Sequence, residues 1–198
     1  NHPELTRARD IHYFFMQELL NPKSVALIGA TAREGSVGLG IAKNLLFGKN
    51  KRKIFFVNPN NKEILNQKTF SSVLEIKEKV DLAIIAVPLK FVKGVIEECS
   101  QAKVGSCIVV SSGFAESNKE GEKLQKEIAE LLKENNIPLV GPNCLGVINP
   151  KAKLNASFAP ETPKSGSIAF LSQSGALIDS LIDKSLLENF GFSLMVSY

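Results

Sequence analysis

Cysteine is scarce in this chain, and its three thiols, Cys99, Cys107 and Cys144, form no Cys-x-x-Cys pair. Neither a zinc site nor a disulfide framework is indicated, no metal site is expected, and a reducing cytoplasm fits best. Long apolar runs are missing as well. The longest, such as Leu82 to Leu89, falls far short of the roughly 20 residues that span a bilayer, and no charged-then-apolar signal segment starts the chain. A soluble protein without membrane contact is the expectation. Histidine occurs only at His2 and His12, ahead of the first predicted strand, so no histidine is at hand to make a thiolate of Cys144. Charge of one sign is not concentrated either: the net charge is +4, but the basic residues are scattered among acids, which argues against a nucleic-acid partner. The one basic run, Lys49-Asn50-Lys51-Arg52-Lys53, reads as a solvated loop, with phosphate contact as the other reading.

What is present is an α/β pattern. In 198 residues of 44% apolar composition there is room for one large domain, or one domain and part of another. Residues 1–20 read as an N-terminal arm with the apolar patch Ile11, Tyr13, Phe14, Phe15, Met16, Leu19 and Leu20; Met16 is a possible native start, which would make residues 1–15 upstream sequence. From Ser24 onward, short β-rich runs alternate with longer helical segments, the signature of a doubly wound parallel sheet. The predicted strands are Ser24–Ile28, Lys53–Val57, Leu82–Val87, Ser106–Val110 and Pro138–Val140. Predicted helices lie at Val37–Phe47, Phe70–Lys77, Leu89–Gln101 and Lys119–Asn135, the last with Leu124, Ile128, Leu131 and Leu132 along one face. Residues 149–165, rich in chain breakers, read as a linker. A second unit then begins at 166–198, with strand Ser167–Leu171, turn Ser172-Gln173-Ser174-Gly175, helix Ala176–Glu188 and strand Phe192–Val196. A lone β-α-β unit buries too little surface to fold by itself, so its missing strands are expected from chain outside this sequence.

In such sheets ligands bind beyond the carboxyl ends of the strands. The first of these ends opens the segment Gly29-Ala30-Thr31-Ala32-Arg33-Glu34-Gly35-Ser36-Val37-Gly38, a glycine-rich turn into a helix N-terminus. Free N–H groups and the positive end of the helix dipole gather there, which suits a phosphate or pyrophosphate. The turn departs from the common dinucleotide fingerprint. Thr31 stands where the second glycine would be and Glu34 where the third would be. The second strand ends in Val57-Asn58-Pro59-Asn60, without the acid that holds a ribose diol about 20 residues on. Nicotinamide binding loses support accordingly.

Other strand ends repeat small residues and prolines where backbone must approach a ligand: Ala86-Val87-Pro88, Ser111-Ser112-Gly113-Phe114 and Gly141-Pro142-Asn143-Cys144-Leu145-Gly146. Turn chemistry alone favours these types. The turn Ser172-Gln173-Ser174-Gly175 offers free N–H groups and two hydroxyls to an anion, or serves as a serine cap on a packed helix.

Taken in order, Asn58-Pro59-Asn60, Val87-Pro88, Ser112-Gly113-Phe114-Ala115-Glu116, the run Gly141 to Pro150 and the run Ile168 to Ala176 closely resemble the α-subunit or α-region of the acyl-CoA synthetases that form nucleoside diphosphates, the acetate–CoA ligase (ADP-forming) group related to succinyl-CoA synthetase. The resemblance runs from about Asn21 to Tyr198. It implies a Rossmann-like CoA-binding domain at 21–148 and the opening of a flavodoxin-like ligase domain. It further implies CoA contacts at Gly29, Ala30, Thr31, Arg33, Val37, Gly38, Asn58, Pro59, Asn60, Val87, Pro88, Ser112, Gly113, Phe114 and Asn143, and a phosphoryl site at Ser172, Gln173, Ser174 and Gly175. Arg33 and Lys62 are candidates to pair with the 3′-phosphate of CoA. The family's phosphorylated histidine matches neither His2 nor His12, so no catalytic residue is assigned to this chain. ADP or ATP with Mg2+ would belong to an ATP-grasp β subunit or region, in a hetero- or homo-oligomer. Cys144 lies near the implied thioester and is read as a packing residue. Two other readings stay open: a CoA-sensing regulatory module, for example one fused to a protein acetyltransferase, and an NAD-binding oxidoreductase or redox sensor.

Overall fold

The computed structural model describes residues 16–198; Ile11, Tyr13, Phe14, Phe15 and both histidines lie outside the described residues. Residues 16–20 are helical and lead into β1 (Ser24–Ile28). The order continues through α1 (Val37–Phe47), β2 (Lys53–Val57), β3 (Glu63–Ile64), β4 (Gln67–Phe70), β5 (Leu82–Ile85), α2 (Leu89–Gln101), β6 (Ser106–Val109), α3 (Lys119–Glu134) and β7 (Leu139–Val140). These strands form one seven-stranded sheet in the order β3-β4-β2-β1-β5-β6-β7, with β3 alone antiparallel to its neighbour.

Strands β1, β5 and β6 are buried along their whole length, as a central parallel sheet covered on both faces requires. The period of two divides their side chains between two cores. Ala26, Ile28, Ala83, Ile85, Cys107 and Val109 pack with Val92, Ile96 and Cys99 of α2 and Ile128 and Leu132 of α3. Val25, Leu27, Leu82, Ile84 and Ile108 pack with Ile41, Ala42 and Leu45 of α1. Each valine, leucine and isoleucine among them contributes about 1.5–3 kcal/mol on burial. Helix α3 is capped by Asn118, carries Glu120 and Glu122 in its first turn and Lys133 in its last, and so matches the helix dipole at both ends.

Two sequence expectations fail here. No α-helix forms over Phe70–Lys77; β4 ends at Phe70 and a single 3-10 turn, capped by Ser72, occupies Val73–Glu75, because the backbone is already extended at Ile76, with φ −76° and ψ 109°. The segment read as a linker, 149–165, carries a strand, which supplies part of what was expected from outside this sequence. β8 (Gly146–Asn149) and β9 (Leu154–Ser157) pair antiparallel, turning through Lys153 at φ +52°. Asn44 of α1 clasps the end of β9 by donating to the carbonyls of Ser157 and Ala159, both at 2.9 Å.

The remaining elements, β10 (Ser165–Ser172), α4 (Gly175–Glu188) and β11 (Phe192–Ser197), join that hairpin in a second sheet of order β10-β11-β8-β9. The β-α-β unit therefore draws its neighbouring strands from within this chain, β8 from the end of the segment expected to close the first domain and β9 from the segment read as a linker. Its small core holds Leu145, Ile148, Ile178, Ile182, Phe192 and Met195. The basic run is also less solvated than its composition implies: Arg52 is buried and its guanidinium donates to the carbonyls of Pro22 and Ala152. Burial without a carboxylate partner lowers its pKa from the ordinary arginine value.

Candidate functional site

A cleft of about 910 Å3 opens at the carboxyl ends of β1, β2, β5 and β6, where the strand order passes from β2 through β1 to β5 and the crossovers diverge. Its size lies near the top of the range of roughly 300–1,000 Å3 for ligand pockets. Gly29 forms its floor. With φ +97°, Gly29 donates its N–H to Val57 O at 3.0 Å, and a Cβ placed there would meet Ala86 O at 2.2 Å. Only glycine fits so close to the backbone of β5. Gly38 packs as tightly: its Cβ would meet Gly29 O at 2.4 Å, which presses the start of α1 onto the end of β1.

The turn between them is held by side chain and backbone together. Thr31 Oγ1 accepts from Arg33 N at 3.2 Å, Ser36 Oγ donates to Arg33 O at 2.6 Å, and the same hydroxyl oxygen accepts from Leu39 N at 3.3 Å. Ser36 O takes Gly40 N at 3.1 Å. Among the described residues nothing accepts from the N–H groups of Val37 and Gly38, and both residues line the cleft. A helix start with its first two amides uncommitted presents two donors and the positive end of the helix dipole to an anion. The Arg33 guanidinium stands exposed on the rim without an ion pair among the described residues, available as a counter-charge.

At the end of β2 the residue that would be acidic in a diol-binding site is Asn58. Its Nδ2 donates to Ala30 O at 2.8 Å and its Oδ1 accepts from Asn60 N at 2.8 Å. The side chain is spent on joining two turns and offers no carboxylate to a ribose diol. Across the cleft, Ser111 Oγ donates to Val87 O at 2.6 Å and fixes the β5 and β6 ends side by side. Pro88, Leu89, Phe91 and Val95 supply the apolar wall, and Ser71 and Glu98 complete it. Lys90 Nζ stands 4.9 Å from the centre of the Phe91 ring.

The family model for the CoA-binding domain matches residues 23–150, which carry every strand end around this cleft. The chain belongs to this CoA-binding family. It is 46% identical over 183 residues to the ADP-forming acetate–CoA ligase I of Archaeoglobus fulgidus, covering 92% of this chain and 26% of that protein. It is 44% identical to the ADP-forming acetate–CoA ligase I subunit alpha of Pyrococcus furiosus, covering 92% of this chain and 40% of the subunit. The structure of the dinucleotide forming acetyl-coenzyme A synthetase 1 of Ca. Korarchaeum cryptofilum, in complex with phosphate and ADP, superimposes with TM-score 0.87 at 37% identity over 92% of this chain and 39% of that one. The chain thus spans about a quarter to two fifths of the length of these relatives.

Of the CoA contacts expected from the sequence, Gly29, Thr31, Arg33, Val37, Gly38, Asn58, Pro59, Asn60, Val87, Pro88 and Ser112 line the cleft. Ala30, Gly113, Phe114 and Asn143 do not. Ala30 is buried beneath the turn, and Phe114 is fully buried in the core against α2 and α3, so its ring is a packing element. The N–H groups of Gly113 and Phe114 both donate to Glu116 Oε1, at 2.6 and 3.1 Å. Burial opposes the charged form of Glu116, but these bonds outweigh it and hold its pKa below the ordinary value. Those two amides are therefore engaged within the protein. Asn143 is exposed and tied to β6 through its N–H to Ser111 O at 3.0 Å. Lys62 also lies outside the cleft lining. Sequence reasoning missed Ser36, Ser71, Phe91 and Glu98. Ser36 was readable as a helix cap, whereas the others reach the cleft only through tertiary packing.

The turn Ser172-Gln173-Ser174-Gly175 stands apart from the cleft lining. Ser174 N donates to Ser172 Oγ at 2.9 Å and Ser174 Oγ accepts from Leu177 N at 3.2 Å, so α4 is capped as α1 is. Gly175 sits over Leu145, whose Cβ lies 3.4 Å from where its own Cβ would be, which places this helix start beside the segment that carries Asn143 and Cys144. Cys144 is buried, its thiol donates to Val109 O at 3.4 Å, and burial pushes its pKa up to about 12. It is a packed thiol, not a nucleophile. The described residues hold no group of three or more His, Cys, Asp or Glu placed to share a metal ion, and none of their helices is long and apolar enough to cross a membrane.

Proposed function

We propose that this chain is the CoA-binding part of an acid–thiol ligase that interconverts acyl-CoA, ADP and phosphate with free acid, CoA and ATP. The observation that carries the reading is the cleft itself, with two uncommitted helix amides and an exposed arginine at one wall, and at the end of β2 an asparagine whose side chain is spent within the protein. A CoA diphosphate needs amide donors, and its 3′-phosphorylated ribose presents no free 2′,3′-diol for an acid to grip. In this reading residues 21–148 form the CoA-binding domain and 166–198 open the flavodoxin-like domain. Gly29, Thr31, Val37 and Gly38 face the diphosphate, and Val87, Pro88 and Ser112 direct pantetheine toward Asn143.

The start of α4 then serves the phosphoryl group. Ser172, Gln173, Ser174 and Gly175 would hold it with the N–H groups of Gly175 and Ala176, which no described residue accepts, while it travels on a histidine supplied from outside these 198 residues. Splitting the exchange at a phosphohistidine replaces one hard step by two easier ones. ADP or ATP with Mg2+ would bind an ATP-grasp β subunit or region, in a cytoplasmic oligomer. The acyl group is left open by the cleft, since one methylene changes discrimination by only about 10–200-fold.

Calorimetric titration of the 198-residue chain with CoA, dephospho-CoA and NADH tests the reading. CoA is expected to bind tightest and dephospho-CoA more weakly; NADH binding with CoA ignored would contradict it.

A further inference from the structure

We infer that Glu98 reads the exocyclic amine of the CoA adenine and so sets the base specificity of the cleft; the inference rests on the CoA reading above. The cleft extends two ways from the Gly29 turn. On one side β5 and β6 lead past Ser111 and Ser112 to Asn143 and the start of α4, the direction of the reacting thiol. On the other, β2 and β4 lead past Asn58–Asn60 to Ser71. Facing that second arm, Phe91, Val95 and Glu98 follow one another at intervals of four and three residues on a single face of α2. Phe91 is 53% exposed, an aromatic surface turned to the cleft and not to the core.

Among the described residues Glu98 is the one carboxylate lining a cleft otherwise furnished for anions. Its Oε2 accepts from Ser72 Oγ at 2.5 Å, and that hydroxyl oxygen in turn accepts from Leu74 N at 3.1 Å. The carboxylate is thereby aimed, while Oε1 makes no hydrogen bond with the described residues. A carboxylate only accepts. It repels phosphate at short range, so the part of the ligand opposite it must be neutral and donate N–H. The diphosphate is taken by the Gly29 turn and pantetheine runs the other way, which leaves the purine. Its 6-amine donates to Oε1 while Phe91 and Val95 cover its plane.

The experiment compares CoA with its 6-oxo analogue, hypoxanthine in place of adenine, by calorimetry on the 198-residue chain and on E98Q. The expected wild-type result is a preference for CoA of about ten- to a hundredfold, the scale of a hydrogen bond to a charged group. E98Q, whose carboxamide donates to a 6-oxo group, is expected to lose or reverse that preference, and S72A to reduce it. A Glu98 that merely braces the Ser72 turn would weaken both ligands by one factor and leave the ratio intact; that result, or equal wild-type affinities, overturns the inference while the CoA reading stands. Failure of the wild-type chain to bind CoA at all overturns both.

Discussion

The turn from β1 into α1 and the turn from β10 into α4 close with the same bonds. Ser36 and Ser174 each accept from the N–H three residues on, through Leu39 and Leu177, and each gives its carbonyl to the N–H four residues on, in Gly40 and Ile178. Each leaves two helix amides without an acceptor among the described residues. Their surroundings differ. The first turn is walled by three other strand ends and sits in a cleft of about 910 Å3. The second follows an edge strand whose residues are mostly exposed, with Ile168 at 43% and Leu171 at 59%. A strand, a serine cap and a helix suffice to present amides; within the described residues only the first pair is also enclosed by neighbouring strand ends.

Adding one methyl group to each turn separates them most strongly. Gly29→Ala drives a Cβ into Ala86 O at 2.2 Å in a left-handed backbone conformation. It is expected to abolish measurable CoA binding and to lower the unfolding free energy by about 2–5 kcal/mol, as strain and overpacking together imply. Gly175→Ala meets only Leu145 Cβ at 3.4 Å and is expected to shift stability by less than about 1 kcal/mol with CoA affinity unchanged. Chemical denaturation and calorimetry read both. Equal damage from the two substitutions would mean that the enclosing strands confer nothing.

Removing the caps separates the two turns by a smaller effect. Ser36→Ala and Ser174→Ala should each destabilise by about 1 kcal/mol, but only Ser36→Ala is expected to weaken CoA binding, because only its helix start faces the cleft. The smallest effect lies beside the β6 end. The folded pKa of Glu116 is depressed, so its stabilising contribution is present above the ordinary carboxylate value of 4.5 and is lost as pH falls through the folded pKa. Glu116→Gln should flatten that acidic limb of the unfolding curve and leave the neutral region nearly unchanged.

The same contrast explains what was legible in the sequence. β1, β2, α1 and α2 fall at the residues expected because their cues are local: apolar runs, a cap at Ser36, a proline before Leu89. The hairpin β3–β4 was invisible, since Gln67 and Lys68 are polar and exposed and its turn depends on positive φ at Leu65 and Asn66. β9 hid for a similar reason: Leu154–Ser157 is short, and only its pairing with β8 and the grip of Asn44 make it a strand. In the site, glycines and prolines at strand ends announced themselves, whereas Phe91 and Glu98 looked like ordinary helix residues. Phe114 misled in the opposite direction, standing next to a conformationally special glycine yet pointing into the core.

The amides at the start of α1 are proposed to hold the CoA diphosphate. Amide chemical-shift mapping of the labelled 198-residue chain during CoA titration tests it most directly. The largest shifts are expected at Val37 and Gly38, with further shifts at Asn58–Asn60 and Leu89–Phe91. Shifts confined instead to the smaller hollow at the opposite end of the sheet, around Lys103, Gly105 and Asn136, with Val37 and Gly38 unmoved, would contradict it.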